Sequence, residues 1–356
     1  MTKMSRRIIF YFLLLLFVVL APSIIFYALG YNFDFNKKIF VATGGIYLKS
    51  HPSNAEIYIN DKPGGETSKF IKRLLPKIYE IKITKEDYHL WQKKLVVEPR
   101  MVTKASNILL LPSNPKIFLL DKTDEINLLF KEPYPLSVIT EIIKKKSKYT
   151  ISKISNLKYE PSNEKAYFIS NSNLYSLKID TMNINNSVLS PVLTANVINY
   201  VIYRNGIIFS EKLTEKIHEL DLSSLKSVPF FEQVFPGFDQ GKWILSDDNK
   251  KLLCQKDKSV EILWLDNVNN NSIIRKKGDI EKIDFSQKIS DVIWYPKTDE
   301  HLIISTDNAI LITELDNRPP RNTINFIATE NPQIKYDAKT STLYFLSQEK
   351  LYKTEL

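Results

Sequence analysis

The residues of this chain that could do chemistry are few, and they lie far apart. The four histidines are His51, His89, His218 and His301. No two of them have the i, i+4 spacing that lets two side chains on one helix bind a zinc ion, and no Gly-x-Ser-x-Gly nucleophile turn occurs. Asp247 and Asp248 are adjacent, but neighbouring residues of a strand face opposite sides, so SDDNKK is typical of an Asx turn. The sequence therefore predicts no catalytic, cofactor-binding or metal-binding residues and no enzyme.

Cys254 is the only cysteine, which excludes an intrachain disulfide and a thiolate metal cluster. Its neighbours Leu252 and Leu253 favour a small buried apolar residue over a reactive thiol. Only 9 of the 356 residues are glycine, and neither the P-loop nor the dinucleotide-binding pattern is present. We therefore expect no nucleotide cofactor.

The charge of the chain is positive but spread out. Forty-nine Lys and Arg residues against 40 Asp and Glu give a net charge of +9, without a block of five like charges. The longest basic run, Lys144 to Lys146 followed by Lys148, lacks the interleaved aromatic residues of a nucleic-acid platform. Nucleic acid is therefore not an expected partner.

The N-terminal segment predicts a membrane anchor. No charged side chain occurs from Ile8 to Phe33, and a helix of that length would rise about 39 Å, enough to cross a hydrocarbon core of about 30 Å. Lys3, Arg6 and Arg7 precede this run, so the positive-inside rule predicts a cytoplasmic tail at residues 1–7 and a transmembrane signal anchor at 8–30. The rest of the chain is then extracytoplasmic, and the lipid bilayer is an expected partner.

A cleavable signal peptide is the alternative, with Ala28 and Gly30 as a small-x-small cleavage site. Its apolar region is usually only about 7 to 15 residues long, so the length of this run favours an uncleaved anchor. Residues 31–43 are predicted to be a juxtamembrane linker. Its aromatic residues, followed by Lys37 and Lys38, fit the headgroup layer of the membrane.

From Gly44 onward the sequence alternates between apolar and polar residues. Four short runs show this alternation: Ile46 and Leu48; Ile57 and Ile59; Tyr79, Ile81 and Ile83; Leu95 and Val97. Such runs, separated by turn-forming residues, predict antiparallel strands that each bury one face. Residues 44–112 are therefore predicted to form a small β-sandwich.

Two stretches of this region resemble the PEGA domain family across residues 44–99: HPSNAEIYIND and LLPKIYEIKITKEDYHLWQKKLVV. The residues that carry the resemblance are Pro52, Ala55, Leu75, Pro76, Tyr79 and Tyr88. Lys77 and Asp87 stand where the family usually has glycine, which predicts less strained turns at both positions, because only glycine takes a positive φ freely.

The resemblance implies an immunoglobulin-like β-sandwich that serves as a surface-protein module and mediates binding. It supplies no catalytic residues. Tyr58, Tyr88, His89 and Trp91 could form a ligand-binding face. We favour packing roles for Tyr88 and Trp91, because aromatic side chains are preferred on half-buried strands.

Residues 113–356 contain segments that recur at an approximate period. The segments end at Asp180, Asp221, Asp266, Asp316 and Leu356, and the four acidic residues are spaced 41, 45 and 50 apart. The first and last segments, YFISNSNLYSLKID and YFLSQEKLYKTEL, are alike. A period in the forties with strand, turn and strand content is typical of β-propeller blades.

These repeats resemble the TolB-like or peptidase-associated propellers. In this chain, Trp294, Tyr295 and Pro296 are the residues most similar to the Trp-x-Pro motif of that family. We expect five or six blades, and six if residues 113–150 supply a divergent blade shared with the C-terminal segment. The alternative for that region is a helix with Leu136, Ile139, Ile142 and Ile143 on one face.

The predicted fold is thus all-β after one transmembrane helix, with a PEGA-like sandwich followed by a propeller. Rigid β-scaffolds without a reaction centre present loops for binding. We therefore expect a membrane-anchored extracytoplasmic binding or scaffold protein of the cell envelope that recognises a protein, a glycan or a wall polymer. A structural subunit of an envelope complex and a polymer-degrading enzyme acting at the propeller opening are the alternatives.

Overall fold

The computed structural model describes residues 3–356 except 36, 121–135, 148–150, 152, 162, 181, 271–272, 297 and 339. The chain divides into two compact units. The first unit contains residues 1–114, 269–273 and 314–324, and the second unit contains the remainder. Strands predominate, as predicted, and the described residues also form two α-helices, α1 (Lys3–Ala28) and α2 (Leu136–Lys146).

The N-terminal apolar helix is confirmed. Helix α1 has an apolar span from Met4 to Ala28 that is long enough to cross a membrane, and none of that span is buried by the rest of the protein. The same features describe a signal sequence. Pro22 lies inside the helix, and one residue further on the Ser23 hydroxyl donates to the carbonyl of Val19 at 3.1 Å.

Residues 31–43, predicted to be a linker, contain a small antiparallel hairpin. Its strands are β1 (Tyr31–Asp34) and β2 (Ile39–Ala42), with Phe33 paired to Phe40. The Phe40 ring stacks on Phe26 of helix α1 at 5.0 Å between centroids. Aromatic contacts therefore hold the hairpin against the last turns of the helix.

A seven-stranded sandwich follows the hairpin. Its strands are β3 (Gly44–His51), β4 (Glu56–Ile59), β5 (Lys62–Glu66), β6 (Lys69–Leu74), β7 (Ile78–Thr84), β8 (Trp91–Val96) and β9 (Val102–Leu109). One sheet has the order β6-β3-β9, with β3 and β9 parallel, and the other has the order β5-β4-β7-β8. The alternating residues of the predicted runs, including Ile46, Ile57 and Ile81, form its core. This burial provides most of the driving force for folding the sandwich.

The four predicted strands correspond to β3, β4, β7 and β8, whereas β5, β6 and β9 were not predicted. Strand β5 reads KPGGE, which has low β-propensity, and β6 leaves most of its side chains exposed. The prediction of a less strained turn at Asp87 was wrong, because Asp87 adopts φ +64°. Aspartate tolerates this left-handed conformation better than most residues do.

One residue of the sandwich breaks the apolar pattern. Lys93 lies on the buried face of β8, in phase with Trp91 and Leu95, and its side chain is 0% exposed. Its ammonium donates to the carboxylate of Glu314 at 2.5 Å and to the carbonyl of Asp316 at 2.9 Å. The same Glu314 carboxylate accepts from the Trp91 indole at 3.1 Å. The buried lysine is therefore neutralised by a segment more than two hundred residues further along the chain.

This segment, residues 314–324, also covers the outer edge of β8. The Asn322 side chain accepts from the Gln92 amide at 3.3 Å and donates to the Gln92 carbonyl at 3.2 Å. The Lys94 amide donates to the carbonyl of Pro319 at 2.7 Å. Because an unpaired sheet edge is prone to pair with another chain, these contacts protect the sandwich as well as stabilise it.

The remaining strands belong to the repeats. They are β10 (Phe118–Leu120), β11 (Ser155–Glu160), β12 (Lys165–Ser170), β13 (Asn173–Lys178), β14 (Val188–Leu189), β15 (Val197–Tyr203), β16 (Gly206–Glu211), β17 (Lys216–Asp221), β18 (Ser227–Val234), β19 (Lys242–Leu245), β20 (Lys251–Gln255), β21 (Ser259–Trp264), β22 (Val268–Asn270), β23 (Ile273–Arg275), β24 (Ile280–Asp284), β25 (Ile289–Trp294), β26 (His301–Thr306), β27 (Ala309–Glu314), β28 (Thr323–Ala328), β29 (Gln333–Asp337), β30 (Thr342–Ser347) and β31 (Lys350–Glu355).

Among the described residues, the repeats form five four-stranded open sheets, in the orders β11-β12-β13-β14, β15-β16-β17-β18, β19-β20-β21-β24, β25-β26-β27-β28 and β10-β31-β30-β29. The recurring segments of the sequence are the second and third strands of each sheet. In the first sheet Phe168 stacks on Tyr175 across these strands at 5.4 Å, and in the last sheet Phe345 stacks on Tyr352 at 5.0 Å. The likeness between the two segments thus reflects the same cross-strand aromatic pair.

The last sheet joins the two ends of the repeat region. Strand β10 pairs with β31, with Phe118 opposite Lys353, so the expected sharing with the C-terminal segment occurs. In the described part of residues 113–150 we find β10 and helix α2, and no separate sheet. Ile139, Ile142 and Ile143 of that helix are buried, which favours the helical alternative over a sixth blade. The rest of this predicted blade, residues 121–135 and 148–150, lies outside the described residues.

The buried ion pair leads to a testable prediction for the sandwich. Replacing Lys93 with Met leaves the Glu314 carboxylate buried without its cation, and losing one partner of a buried pair costs about 3–5 kcal/mol. We expect the free energy of opening of strand β8 to fall by that amount in native-state hydrogen exchange of the full-length protein. Lys94→Met, at the exposed neighbouring position, is the matched control and should change the opening free energy by less than about 0.5 kcal/mol. Equal effects of the two substitutions would contradict the role of the pair.

Candidate functional site

The first strands of successive repeat sheets are joined by polar side chains. The Asn156 amide on β11 donates to the Asn199 side chain on β15 at 2.7 Å. Asn199 in turn donates to the carbonyl of Gly241, just before β19, at 2.6 Å. On the next sheet the Trp294 indole donates to the carbonyl of Ile244 at 3.4 Å. A row of hydrogen-bonded groups thus runs across four sheets.

Tyr200 fixes the middle of this row. Its ring is fully buried, and its hydroxyl lies 2.8 Å from the Asn156 carbonyl and 2.7 Å from the Tyr167 carbonyl. Burial raises the pKa of this hydroxyl above its ordinary value, so it stays a neutral donor. Tyr200 therefore positions the backbone of β11 next to β15.

Lys158 is a half-buried lysine beside this row of hydrogen-bonded groups. Its ammonium donates to the Tyr200 carbonyl at 2.9 Å and lies over the Tyr200 ring at 5.2 Å. Burial, and after it the positive charge of Lys242, lower the pKa of Lys158 to about 8. Among the described residues, no carboxylate opposes this shift. The side chain is thus held in a place that disfavours its own charge.

Lys242 provides the second cation of the cluster. Its side chain is 60% exposed, and its ammonium forms an ion pair with Asp291 of β25 at 2.7 Å. Lys158, Lys242 and Asp291 together carry one excess positive charge. We call these three residues the first-strand cluster.

Two fully buried lysines elsewhere in the chain have the carboxylate partner that Lys158 lacks among the described residues. Lys93 is neutralised by Glu314, and Lys251 lies 3.2 Å from Asp248 and 3.6 Å from Glu300. Buried charges in proteins are normally paired in this way. Among the residues that the structure describes, no carboxylate forms such a pair with Lys158.

The residues considered at the outset for catalysis or metal binding do not meet. His218 stacks on Phe209 at 5.5 Å, and His301 is buried with its ring edge towards Tyr295 at 5.9 Å. His51 and His89 lie in the sandwich region. Across the described part of the chain, no group of three His, Cys, Asp or Glu residues could hold a metal ion.

The stretch around Asp247 and Asp248 is the turn that was predicted. The Asp248 carboxylate accepts from the backbone amide of Lys250 at 2.9 Å and from the Ser246 hydroxyl at 2.6 Å. The first of these bonds, from a side chain to the amide two residues on, defines an Asx turn.

The four residues proposed as a ligand face of the sandwich do not form one. Trp91 is buried in the core, and Tyr88 packs against it, so the packing roles are confirmed. Tyr58 pairs with Lys82, which in turn pairs with Gln92, so these three side chains lie on one face of the sheet. Trp91, the neighbour of Gln92 in β8, points to the other face. The His89 amide donates to the carbonyl of Leu111.

The first-strand cluster was not identified from the sequence. Lys158 lies in NLKYEPSNEK, which reads as an ordinary strand and turn, and a single lysine there predicts a solvated side chain. Lys93 had a clearer signal, because its spacing from Leu95 and Val97 puts a charge on the apolar face.

Comparison with known proteins identifies the sandwich. Residues 43–109 match the PEGA domain, which confirms the domain predicted from the sequence resemblance. No curated protein sequence matches the chain.

Solved structures resemble the chain only distantly. One is the extracellular domain of a candidate hybrid two-component system from B. thetaiotaomicron, with 10% identity over 57% of this chain and 27% of that one, at a TM-score of 0.37. Another is the Cps50 (Swd1) β-propeller domain of Myceliophteria thermophila, with 12% identity over 58% of this chain and 71% of that one, also at 0.37. At these TM-scores the likeness assigns neither fold nor function.

The depressed pKa of Lys158 leads to a second prediction. Between pH about 8 and about 10.5 the unfolded chain binds the lysine proton and the folded protein does not, so stability should rise with pH by up to about 3 kcal/mol. Competitive labelling of amines followed by mass spectrometry measures the pKa, and denaturant unfolding measures the slope. Lys158→Met should remove this part of the slope, while Lys250→Met, at an exposed turn position, should keep it. A Lys158 pKa near 10.5 would contradict the proposed environment.

The single cysteine gives a third prediction. Cys254 is fully buried, its thiol donates to the Phe238 carbonyl at 2.9 Å, and burial raises its pKa to about 12. Because only the thiolate reacts, N-ethylmaleimide should not modify the native protein at pH 8 and should modify it fully after denaturation. Rapid modification of the native protein, measured by intact mass, would show that the thiol is accessible.

Proposed function

We propose that the chain is a membrane-anchored, extracytoplasmic binding protein of the cell envelope. Helix α1 would be the anchor, with Lys3, Arg6 and Arg7 on the cytoplasmic side, and the PEGA domain and the repeats would lie outside. The length and apolar composition of α1 support this assignment.

The repeat region is proposed to be a five-bladed propeller. Five four-stranded sheets follow one another, and hydrogen bonds connect the first strands of neighbouring sheets. The pairing of β10 with β31 supports this architecture, because propellers commonly close by completing the last blade with a strand from the start of the region. In such an arrangement the first strands lie nearest the central axis.

The ligand is proposed to carry an anionic group that binds at the first-strand cluster. One observation carries this proposal: the half-buried Lys158 ammonium donates to the Tyr200 carbonyl and, within the part of the chain that the structure describes, pairs with no carboxylate, unlike Lys93 and Lys251. A phosphate or carboxylate group beside Lys158 and Lys242 would neutralise the cluster and form charge-assisted hydrogen bonds. Anionic wall polymers and glycans contain such groups, and the net charge of +9 would assist their approach.

The proposal is tested with the full-length protein in detergent micelles. Poly(glycerol phosphate) serves as the anionic polymer and dextran as a neutral one, and binding is measured by calorimetry at several salt concentrations. We expect binding to the anionic polymer alone, with an affinity that falls as salt rises. Lys158→Met should lower the affinity about tenfold, which corresponds to the loss of one charge-assisted contact of about 1.4 kcal/mol.

Lys282→Met is the matched control, because Lys282 is an exposed lysine in an ion pair with Asp284 at the outer strand β24. It should leave the affinity unchanged. Equal binding of dextran and poly(glycerol phosphate) would argue against an anionic ligand. An unchanged affinity in Lys158→Met would place the ligand elsewhere. Binding should also raise the pKa of Lys158, which amine labelling reports independently of affinity.

A further inference from the structure

A second charged surface lies where helix α1 meets the PEGA domain, and it is distinct from the first-strand cluster. The hairpin of β1 and β2 exposes large apolar side chains beside the end of the helix. Phe35 is 82% exposed, Ile39 is 53% exposed and Phe40 is 45% exposed. Lys37 and Lys38 lie at the tip of the same hairpin and are also exposed, with Asp34 as the nearby acid. Exposed apolar groups next to lysines are typical of segments that lie in the headgroup layer of a membrane.

One end of the sandwich lies next to the hairpin of β1 and β2. Gly44, which starts β3, pairs with Leu74 at the end of β6, and Gly45 pairs with Val102 at the start of β9. Since β3 follows directly from the hairpin, the end of β6 and the start of β9 both lie next to it. Two side-chain contacts confirm this placement. The Arg73 guanidinium lies over the Tyr27 ring of α1 at 3.4 Å, and Arg100 donates to the Tyr31 hydroxyl at 2.8 Å.

This end of the sandwich, like the hairpin, exposes apolar and basic side chains. Met101 is exposed beside Arg100, and Ile78 is exposed beside Lys77. Glu98 is an exposed acidic residue of this end, and the nearby Asp61 and Glu80 form ion pairs with Lys82. Apart from this group of Lys82, Asp61 and Glu80, the described residues of the hairpin and of this end include five basic side chains and two acidic ones: Lys37, Lys38, Arg73, Lys77 and Arg100, with Asp34 and Glu98. The surface is therefore positively charged as well as apolar.

We propose that this surface binds the headgroups of anionic lipids in the outer leaflet, where the C-terminal end of α1 would lie. The apolar side chains would insert at the boundary of the acyl chains, while the Lys and Arg side chains contact lipid phosphates. The position of the surface at the end of a membrane-length helix is what identifies lipid as its occupant. This inference rests on the part of the proposed function that assigns α1 as an uncleaved anchor.

Binding of phosphatidylglycerol tests the inference. The full-length protein is reconstituted in nanodiscs of phosphatidylcholine mixed with phosphatidylglycerol, released into detergent, and the retained lipids are counted by native mass spectrometry. We expect the retained lipid to be enriched about fivefold in phosphatidylglycerol relative to the nanodisc mixture. This ratio corresponds to the attraction of about one basic residue to an anionic membrane surface. Raising the salt concentration during release should reduce this enrichment.

The matched variants carry four substitutions each. Lys37→Gln, Lys38→Gln, Arg73→Gln and Arg100→Gln together should abolish the enrichment. The control replaces four exposed lysines of the second unit with Gln: Lys178, Lys250, Lys288 and Lys350. It removes the same charge and should keep the enrichment.

The inference is overturned if wild-type protein retains the two lipids equally, if its enrichment is independent of salt, or if the control loses enrichment as completely as the test variant. The wild-type salt series decides the question even if the test variant does not fold. The anchor is checked separately, since an anchored chain stays in membranes during alkaline extraction. Extraction into the soluble fraction would refute the anchor, whereas a retained chain without lipid preference would refute only the headgroup surface.

Discussion

The fold of the first unit depends on the burial of one lysine. Lys93 occupies a position that the alternation of β8 reserves for an apolar side chain, and an isolated ammonium there would be highly unfavourable. Residues 314–324 resolve this conflict with the carboxylate of Glu314, and Asn322 and Pro319 bond to the adjoining strand edge. The segment thus belongs structurally to the PEGA sandwich although it lies within the repeats in sequence. Because Lys93 contacts both Glu314 and Asp316, its charge connects this segment to strand β8.

The two lysine environments explain why one charge is structural and the other is a candidate for binding. Lys93 is fully buried and Lys158 is half-buried, and among the described residues only Lys93 forms an ion pair with a carboxylate. A paired charge holds its segment in one register. An unpaired charge with a lowered pKa keeps free energy that a ligand can recover on binding, because the ligand supplies the missing counter-charge. The Tyr200 and Asn199 contacts hold the backbone around Lys158 in place before any ligand arrives.

Much of the architecture follows from local patterns in the sequence. The uncharged run that begins at Ile8 predicted helix α1, and alternation at Ile57 and Ile59 predicted a sandwich strand, because each pattern reflects burial by nearby structure. The recurring segments predicted the second and third strands of the repeat sheets. Strand β6 escaped prediction because an exposed edge strand has no apolar alternation. The first-strand cluster escaped because it depends on which strands become neighbours, and that is set by the arrangement of sheets and not by the residues around Lys158.

The pairing of β10 with β31 has a consequence for how the repeat region is made. Phe118 and Lys353 are partners in one sheet, yet almost the entire repeat region separates them along the chain. Contacts of such long sequence separation form late and slowly, because the intervening chain must be ordered first. During synthesis the last sheet therefore has to wait for its C-terminal strands, while β10 has already emerged with an unpaired edge. Until then β10 is a segment that a chaperone could bind, or that could pair wrongly with another copy of the chain.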